Sequence, residues 1–415
     1  MSSLTPLSAS RSPAVRSSTR FHVAHAAGVD RPQPARTAAS AIPWGLIGML
    51  GLIVAIETAV GRNWLDFSDP VSLSWRFSAE AARVAAPGRD LLCLGDSLVK
   101  HGLIPSVMER ESGLRAANLA AARCPTWMTY FLFRRALEAG AHPSAIIINA
   151  KPAGLIPGPD FNTRSWQDVL SVRDSLELAG MGGRGDFWAA TLLGRLLPSL
   201  RSRLEVRSNL LAALRGQTDR LHDINRILWR NWTINDGANV ASRDSRYGGE
   251  LTADVLRNLR PDLFHVHRAN AEGIERLIRL AAARNIRVFW LLPPLCAALQ
   301  ARRDESGAEA KYEEFLRAFQ RRYPEVLTVL DARRAAYPPA MFVDATHLGG
   351  RGAIALSRAV AGAVRAELAR PALAPGHGWI ELSDRTEDHS AGQELRVEDL
   401  DQSKAIVHGD HDRGR

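Results

Sequence analysis

The fold is decided by residues 90–103, which read D-L-L-C-L-G-D-S-L-V-K-H-G-L. An apolar run ending at Leu94 is followed by Gly95, and apolar residues then recur at helical spacing from Val99 onward. This pattern predicts a buried strand, a tight turn and a helix. Ser97 stands at the turn, so we expect it at the N-terminus of the helix, where the helix dipole is positive.

The same alternation of apolar strand and helix continues along the chain. Further strands are predicted at Ala145–Ile148, Val288–Leu292 and Val326–Leu330, and further helices at Tyr130–Ala139, Ala269–Asn285 and Glu309–Arg322. Strands that alternate with helices predict a parallel sheet with both faces covered. We therefore expect an α/β domain with three layers, α/β/α, over residues 87–370.

Composition and charge exclude several classes of protein. The 415 residues are 46% hydrophobic and 23% charged, which excludes a wholly disordered or fibrous chain. Three cysteines are too few for a disulfide-dense scaffold or a cysteine-rich metal module. The net charge of +9 is compatible with an anionic partner, but zinc-finger spacing, RNA-binding signatures and lysine-rich tracts are missing from the sequence. We therefore expect no nucleic-acid partner.

A membrane anchor is predicted near the N-terminus, over residues 37–60. Its first twenty residues, Thr37–Ile56, carry no charge, and about 20 apolar residues cross a bilayer. A buried soluble helix would show a polar face, and a cleaved signal peptide has a shorter leader, so a signal anchor is favoured over both. Five arginines precede the span and Arg62 alone follows it closely. The positive-inside rule then predicts a single-pass protein of the cell (inner) membrane, with a cytoplasmic N-terminus and a periplasmic or extracytoplasmic main domain.

The remaining segments differ in composition from the predicted domain. We expect a disordered cytoplasmic tail at 1–36, a linker at 61–86 and a disordered acidic tail at 371–415. A mostly helical insertion is predicted at about 155–262, in which leucines alternate with arginines. Three interpretations of it stand: a cap over the mouth of the site, a face lying on an anionic membrane or polymer, or amphipathic helices packed on the sheet edge.

The chemistry is indicated by Asp344 and His347, which stand three residues apart. A carboxylate at this spacing can hold the imidazole Nδ1–H and leave Nε2 free to take a proton from Ser97. The topology brings all three to the carboxyl edge of a parallel sheet. Asp262 and His265 repeat the spacing without a matching serine, so the pair means little alone. We expect no metal and no cofactor.

At these residues the sequence resembles the SGNH (GDSL-like) esterase and acyltransferase family, over about residues 89–370. Gly95-Asp96-Ser97 is similar to the family's first block, and Asp344 with His347 to its last. Gly352, five residues after His347, matches the family's last glycine. The resemblance implies a flavodoxin-like parallel sheet in which Ser97 is the nucleophile, His347 the base and Asp344 the residue that orients it.

The middle blocks of the family are matched less closely. Asn118 lies in a stretch similar to the second block, and Arg123 or a neighbouring alanine replaces the glycine whose N–H joins the oxyanion hole. The third block usually offers G-x-N, where this chain has Asn149 and Lys151. Asn118, Arg123, Asn149 and Lys151 are therefore the candidates for oxyanion or substrate contacts. Loss of one oxyanion donor costs about 10²–10³ in rate.

For function, the resemblance implies a membrane-tethered serine esterase or O-acyltransferase. Its substrates would be ester groups, above all O-acetyl groups of cell-surface polysaccharide, or a small ester, and its acyl-enzyme would form on Ser97. A catalytically degenerate SGNH-like module that binds a polysaccharide or an envelope partner is the alternative. A lipid-directed esterase is the third possibility and requires an apolar groove under the helices of the insertion.

Overall fold

The computed structural model describes residues 44–62, 69–159, 169–183, 185–201, 203, 206–207, 211, 214–216, 220–257, 265–370, 378–382 and 397–413. Residues 52–415 form one compact unit, which holds the sheet and the candidate site. The tail predicted at 1–36 lies outside the described residues, as does the beginning of the predicted anchor, up to residue 43.

A six-stranded, all-parallel sheet forms the centre of this unit. Its strands are β1 Leu91–Leu94, β2 Ala116–Asn118, β3 Ala145–Ile148, β4 Arg287–Leu292, β5 Leu327–Asp331 and β6 Trp379–Glu381. They lie in the order β2-β1-β3-β4-β5-β6. Leu92 of β1 pairs with Ala117 on one side and with Ile146 on the other, so β1 is an inner strand.

Helices connect the strands and cover the sheet. They are α1 Trp44–Gly61, α2 Pro70–Val84, α3 Ser97–Gly102, α4 Pro105–Ser112, α5 Thr126–Glu138, α6 Pro152–Leu155, α7 Val172–Gly182, α8 Asp186–Leu196, α9 Pro198–Arg201, α10 Arg220–Ile234, α11 Ala253–Arg257, α12 Arg268–Ala282, α13 Ala297–Glu305, α14 Ala308–Arg322, α15 Gly350–Leu368 and α16 Leu400–Arg413. The predicted α/β class, with a parallel sheet and many helices, is confirmed.

Alternate residues of each strand enter two different hydrophobic cores. Leu92 and Leu94 belong to a core on one face, together with residues of α2, α5, α7 and α12. Leu91 and Cys93 belong to a core on the other face, together with residues of α3, α4 and α15. Every residue of β1 is buried, because parallel strands that are covered on both faces have no solvent side.

Two predicted segments contain more structure than the sequence indicated. The linker at 61–86 contains α2, whose Trp75 is fully buried. The acidic tail predicted as disordered from residue 371 contains β6 and α16. Trp379 of β6 donates a hydrogen bond through Nε1 to Oδ2 of Asp331 at 3.1 Å, and Asn231 Nδ2 donates to Ser403 Oγ of α16 at 3.1 Å. The acidic composition of this tail gave no indication of the hydrogen-bond partners of β6 and α16, which lie far away in the chain.

The N-terminal helix α1 has 18 residues and is long and apolar enough to cross a membrane. Its side chains from Trp44 to Ile56 are exposed. In the insertion, α8 stops at Leu196 and α9 begins at Pro198, because a proline cannot continue a helix.

Candidate functional site

The structure brings Ser97, His347 and Asp344 together at the carboxyl edge of the sheet. Ser97 Oγ lies 2.9 Å from Nε2 of His347, and Nδ1 of the same ring lies 2.8 Å from Oδ2 of Asp344. Ser97 is the first residue of α3, directly after β1. The two distances form a continuous chain from hydroxyl to imidazole to carboxylate, so Nε2 can accept the serine proton while the carboxylate holds the opposite side of the ring.

A compact loop fixes the carboxylate and the imidazole relative to each other. Oδ1 of Asp344 accepts hydrogen bonds from the Thr346 N–H at 2.8 Å, the His347 N–H at 2.9 Å and the Thr346 hydroxyl at 2.8 Å. The loop is closed by a bridge between Phe342 and Leu348. The loop follows β5, and one further strand, β6, comes later in the chain.

The loop also keeps Asp344 ionised. Burial by itself raises the pKa of this carboxyl, but the hydrogen bond and charge of His347, with the two Thr346 donors, hold the pKa well below its ordinary value. A carboxylate that stays negative can stabilise the imidazolium that forms when His347 takes a proton.

The glycine before Asp96 is required by a close approach of Asn149. Gly95 has a φ of +142°, and a Cβ there would overlap Oδ1 of Asn149. Asn149 Oδ1 accepts from the Asp96 N–H at 2.9 Å, and its Nδ2 donates to Oδ1 of Asp96, also at 2.9 Å. Asp96, which follows β1, and Asn149, which follows β3, are thereby joined by two hydrogen bonds next to Ser97.

Lys151 completes this group from the end of β3. Its Nζ lies 3.3 Å from Oδ2 of Asp96, whose side chain is only 4% exposed. Burial raises the pKa of Asp96, yet the charge of Lys151 and the hydrogen bond from Asn149 together leave the pKa below its ordinary value. Asn149 and Lys151, which were candidates for oxyanion contacts, thus both bind Asp96, and their part in an oxyanion site stays a prediction.

The side chain of Asn118 forms its hydrogen bonds inside the protein. Its Nδ2 donates to the carbonyls of Val99 at 3.0 Å and Leu103 at 2.8 Å, and its Oδ1 accepts from the Ala120 N–H at 3.0 Å. Because both amide hydrogens are taken and the residue is fully buried, the prediction that Asn118 contacts the oxyanion or substrate is wrong. It joins β2 to α3 instead.

Arg123 lies in the loop between β2 and α5 with its side chain exposed and a φ of +54°. This left-handed conformation is the one that favours glycine, so the turn has the shape that the family's glycine would suit. Helix α2 supports the loop: the Trp75 indole donates to the Ala122 carbonyl at 2.6 Å, and the Ala122 N–H donates to Ser74 Oγ at 3.0 Å. Sequence reasoning missed this support because it treated α2 as linker.

A second histidine, His101, packs against the imidazole of His347. The ring centroids lie 4.9 Å apart, and Nδ2 of Asn239 lies 3.3 Å from His101 Nε2. Burial lowers the pKa of His101 to about 3, and the charges of His347 and Lys100 act in the same direction, so the ring stays neutral. His101 stands four residues after Ser97, and this spacing on α3 was the signal that could have placed it at the site.

A small pocket opens beside Leu98, the residue after Ser97. Its lining includes Lys151, Pro152, Leu295 and Tyr312. The lining therefore combines apolar surface with three basic side chains, those of Lys151, Arg303 and Arg333, and it lies on the β3–β4 side of the serine.

The described residues also include candidate metal ligands and three cysteines. Within the ranges given above, no group of three or more His, Cys, Asp or Glu residues is placed to hold a metal ion. Cys93, Cys124 and Cys296 are all buried and free.

Comparison with known proteins adds no relative: no protein-family model matches the chain, and no curated protein matches it.

Proposed function

We propose that this protein is an SGNH-type serine esterase or O-acyltransferase with a flavodoxin-like domain. The observation that carries the proposal is the chain of two hydrogen bonds from Ser97 Oγ through His347 to Asp344, at 2.9 and 2.8 Å. The strand order β2-β1-β3-β4-β5 is the order typical of flavodoxin-like sheets, which supports the finer assignment of the fold.

The reaction begins with transfer of the Ser97 proton to Nε2 of His347 as Oγ attacks the ester carbonyl carbon. The resulting imidazolium is stabilised by the carboxylate of Asp344 and returns the proton to the leaving alkoxide, which leaves an acyl group on Oγ. Water or a sugar hydroxyl then attacks this acyl-enzyme, with His347 again as base. The neutral ring of His101 beside His347 adds no charge that would oppose the imidazolium.

The negative oxygen of the tetrahedral intermediate needs donors near Ser97. The first N–H groups of a helix have no acceptor within the helix, and Ser97 is the first residue of α3. Its own N–H is therefore one donor, and the second hydrogen on Nδ2 of Asn149 is the other that we assign. The cavity beside Leu98 is small for a ligand pocket, which favours a short acyl group such as acetyl.

We place the domain outside the cytoplasm, anchored by α1, because five arginines precede the apolar helix and Arg62 alone follows it closely. In that location the accessible esters are O-acetyl groups of cell-surface polysaccharide or small esters. The proposal names no cofactor and no nucleic-acid partner.

The test uses the full chain in detergent, a chromogenic acetyl ester and a serine-directed fluorophosphonate probe. We expect the wild type to hydrolyse the ester and to be labelled at Ser97, and Ser97→Ala to lose labelling and at least about 10³ in rate. Ser106→Ala, on α4, is the matched control. Equal rates for wild type and Ser97→Ala would remove Ser97 as nucleophile.

The second candidate is a catalytically degenerate module that binds a polysaccharide or an envelope partner. It is favoured by the use of Asn149 and Lys151 to hold Asp96, which takes polar groups away from the substrate side. Under this alternative neither the wild type nor Ser97→Ala reacts with the probe, while the full chain still binds acetylated polysaccharide.

A further inference from the structure

The insertion contains a helix pair whose outer face is apolar. Leu193 and Leu196 of α8 and Leu200 of α9 are 53%, 64% and 50% exposed. On the inner face of α8, Thr191 and Gly194 are buried. A helix on the surface of a soluble domain has the opposite arrangement, with its leucines inside. A cluster of exposed leucines marks a surface that binds something apolar.

The same helices are attached to the last turns of α1. The Ser199 N–H donates to Oε2 of Glu57 at 2.8 Å, and the Ser199 hydroxyl binds the same carboxylate. Gly61 lies against Pro198, since a Cβ on Gly61 would come within 3.2 Å of the proline Cγ. Gly61 stands four positions after Glu57, which is about 6 Å along a helix. The exposed leucines are therefore held beside the C-terminal end of the apolar helix.

Basic residues accompany the leucines. Arg203, Arg207 and Arg215 are exposed, and so are Leu211 and Leu214 between them. Exposed leucines together with arginines are typical of helices that lie in the interface of an anionic bilayer, with the apolar side chains among the acyl chains and the guanidinium groups among the phosphates.

We propose that α8, α9 and the arginines that follow form an interfacial surface that lies in the headgroup region of the bilayer crossed by α1. The inference rests on α1 crossing a bilayer, as proposed above, and is independent of the chemistry at Ser97. A lipid surface is the occupant because the leucines are attached to the end of the helix that would emerge from it. The other anionic partner considered for the insertion, a polymer, would not explain exposed leucines.

The test is nitroxide accessibility in the full chain, reconstituted into vesicles of equal parts phosphatidylcholine and phosphatidylglycerol. The label is attached to Leu196→Cys, and a second, independent label to Leu193→Cys. Leu256→Cys is the matched control, because Leu256 is an exposed leucine on α11, next to the core on the opposite face of the sheet. The three native thiols are buried, so labelling selects the introduced cysteine.

We expect labels at 193 and 196 to collide several-fold more often with oxygen, and several-fold less often with a water-soluble nickel chelate, than the label at 256. Equal nickel accessibility at all three positions overturns the inference. Protection from both reagents also overturns it, since it means that protein, such as a second copy, covers the face. A carbonate wash separates the two proposals: release of the chain shows that α1 does not span, whereas retention with a water-exposed label at 196 contradicts the interfacial surface alone.

Discussion

Ser97 lies between two carboxylates that are held in opposite ways. Asp344, on the outer side, has a side chain that is 53% exposed and is bound to an imidazole. Asp96, on the inner side, has a side chain that is 4% exposed and is bound to Lys151, Asn149 and the N–H of Leu98. Both carboxyls have a lowered pKa, yet their partners differ in whether they can exchange a proton with the serine.

This difference gives Asp344 a role in proton transfer and Asp96 a role in holding the structure. The partner of Asp344 is a histidine whose other nitrogen reaches Ser97, so the charge of Asp344 acts on a proton that moves. The partners of Asp96 are a lysine, an amide and a backbone N–H, so its charge fixes the turn from β1 into α3. We therefore expect changes at Asp344 to lower the rate and changes at Asp96 to lower the stability.

The largest expected effect is on the rate of Asp344→Asn. An amide in place of the carboxylate no longer holds the Nδ1–H tautomer of His347, and kcat for the chromogenic ester should fall by roughly 10³–10⁴. The free energy of unfolding should change by less than about 1 kcal/mol, because the side chain is half exposed. Steady-state kinetics and urea unfolding of the same preparation measure both quantities.

The control for Asp344→Asn is Asp244→Asn, another exposed aspartate, paired with Arg351. It should leave kcat within about twofold. A loss in kcat of less than tenfold for Asp344→Asn would mean that the two carboxylates do not differ in role, because Asp344 would then only stabilise its loop.

The next effect in size is on the stability of Asp96→Asn. The neutral amide leaves the Lys151 ammonium without its anion, and the new amide N–H groups face a group that donated to the carboxylate. Together these effects should lower the free energy of unfolding by about 2–3 kcal/mol. The loss is smaller than for a fully buried pair because the Lys151 side chain is 37% exposed. Urea unfolding of the full chain measures it. Lys151→Met should show a related loss, and a double variant should lose less than the sum, since the two residues act as one pair. Additive losses would contradict the pairing.

The parts of this site that follow local patterns could be predicted from the sequence. The strand β1 and the turn to Ser97 follow from an apolar run and a glycine, and Asp344 with His347 follows from their spacing. The use of Asn118 could not be predicted, because its partners at Val99 and Leu103 depend on how α3 packs against β2.

Short elements with distant partners were also beyond prediction. Three-residue β6 is held by Asp331 and is too short to produce a pattern of its own. The 15-residue helix α2 differs, because its cap at Asp69, its proline at position 70 and its amphipathic pattern are local signals that the linker prediction overlooked. Arg123 shows the same limit, since a left-handed turn at a non-glycine residue is set by the surrounding structure rather than by the residue itself.

The smallest expected effect concerns Lys100, a buried lysine on the inner side of Ser97. Its Nζ donates to the carbonyls of Ala120 at 3.2 Å and Gly237 at 3.3 Å and lies 4.2 Å from the Trp232 ring centroid. Burial lowers the pKa of Lys100 to about 7, from an unfolded value of 10.5.

Between these two pKa values the unfolded chain binds the proton more tightly than the folded chain, so the contribution of Lys100 to stability increases as pH rises from about 7 toward 10. One proton gives a slope of at most about 1.4 kcal/mol per pH unit in the free energy of unfolding. Lys100→Met should remove this part of the slope, whereas Lys311→Met, at an exposed lysine, should leave the slope unchanged. Urea unfolding at several pH values gives the slopes directly. Equal slopes for wild type and Lys100→Met would mean that Lys100 stays charged in the fold, and burial would then not favour its neutral form.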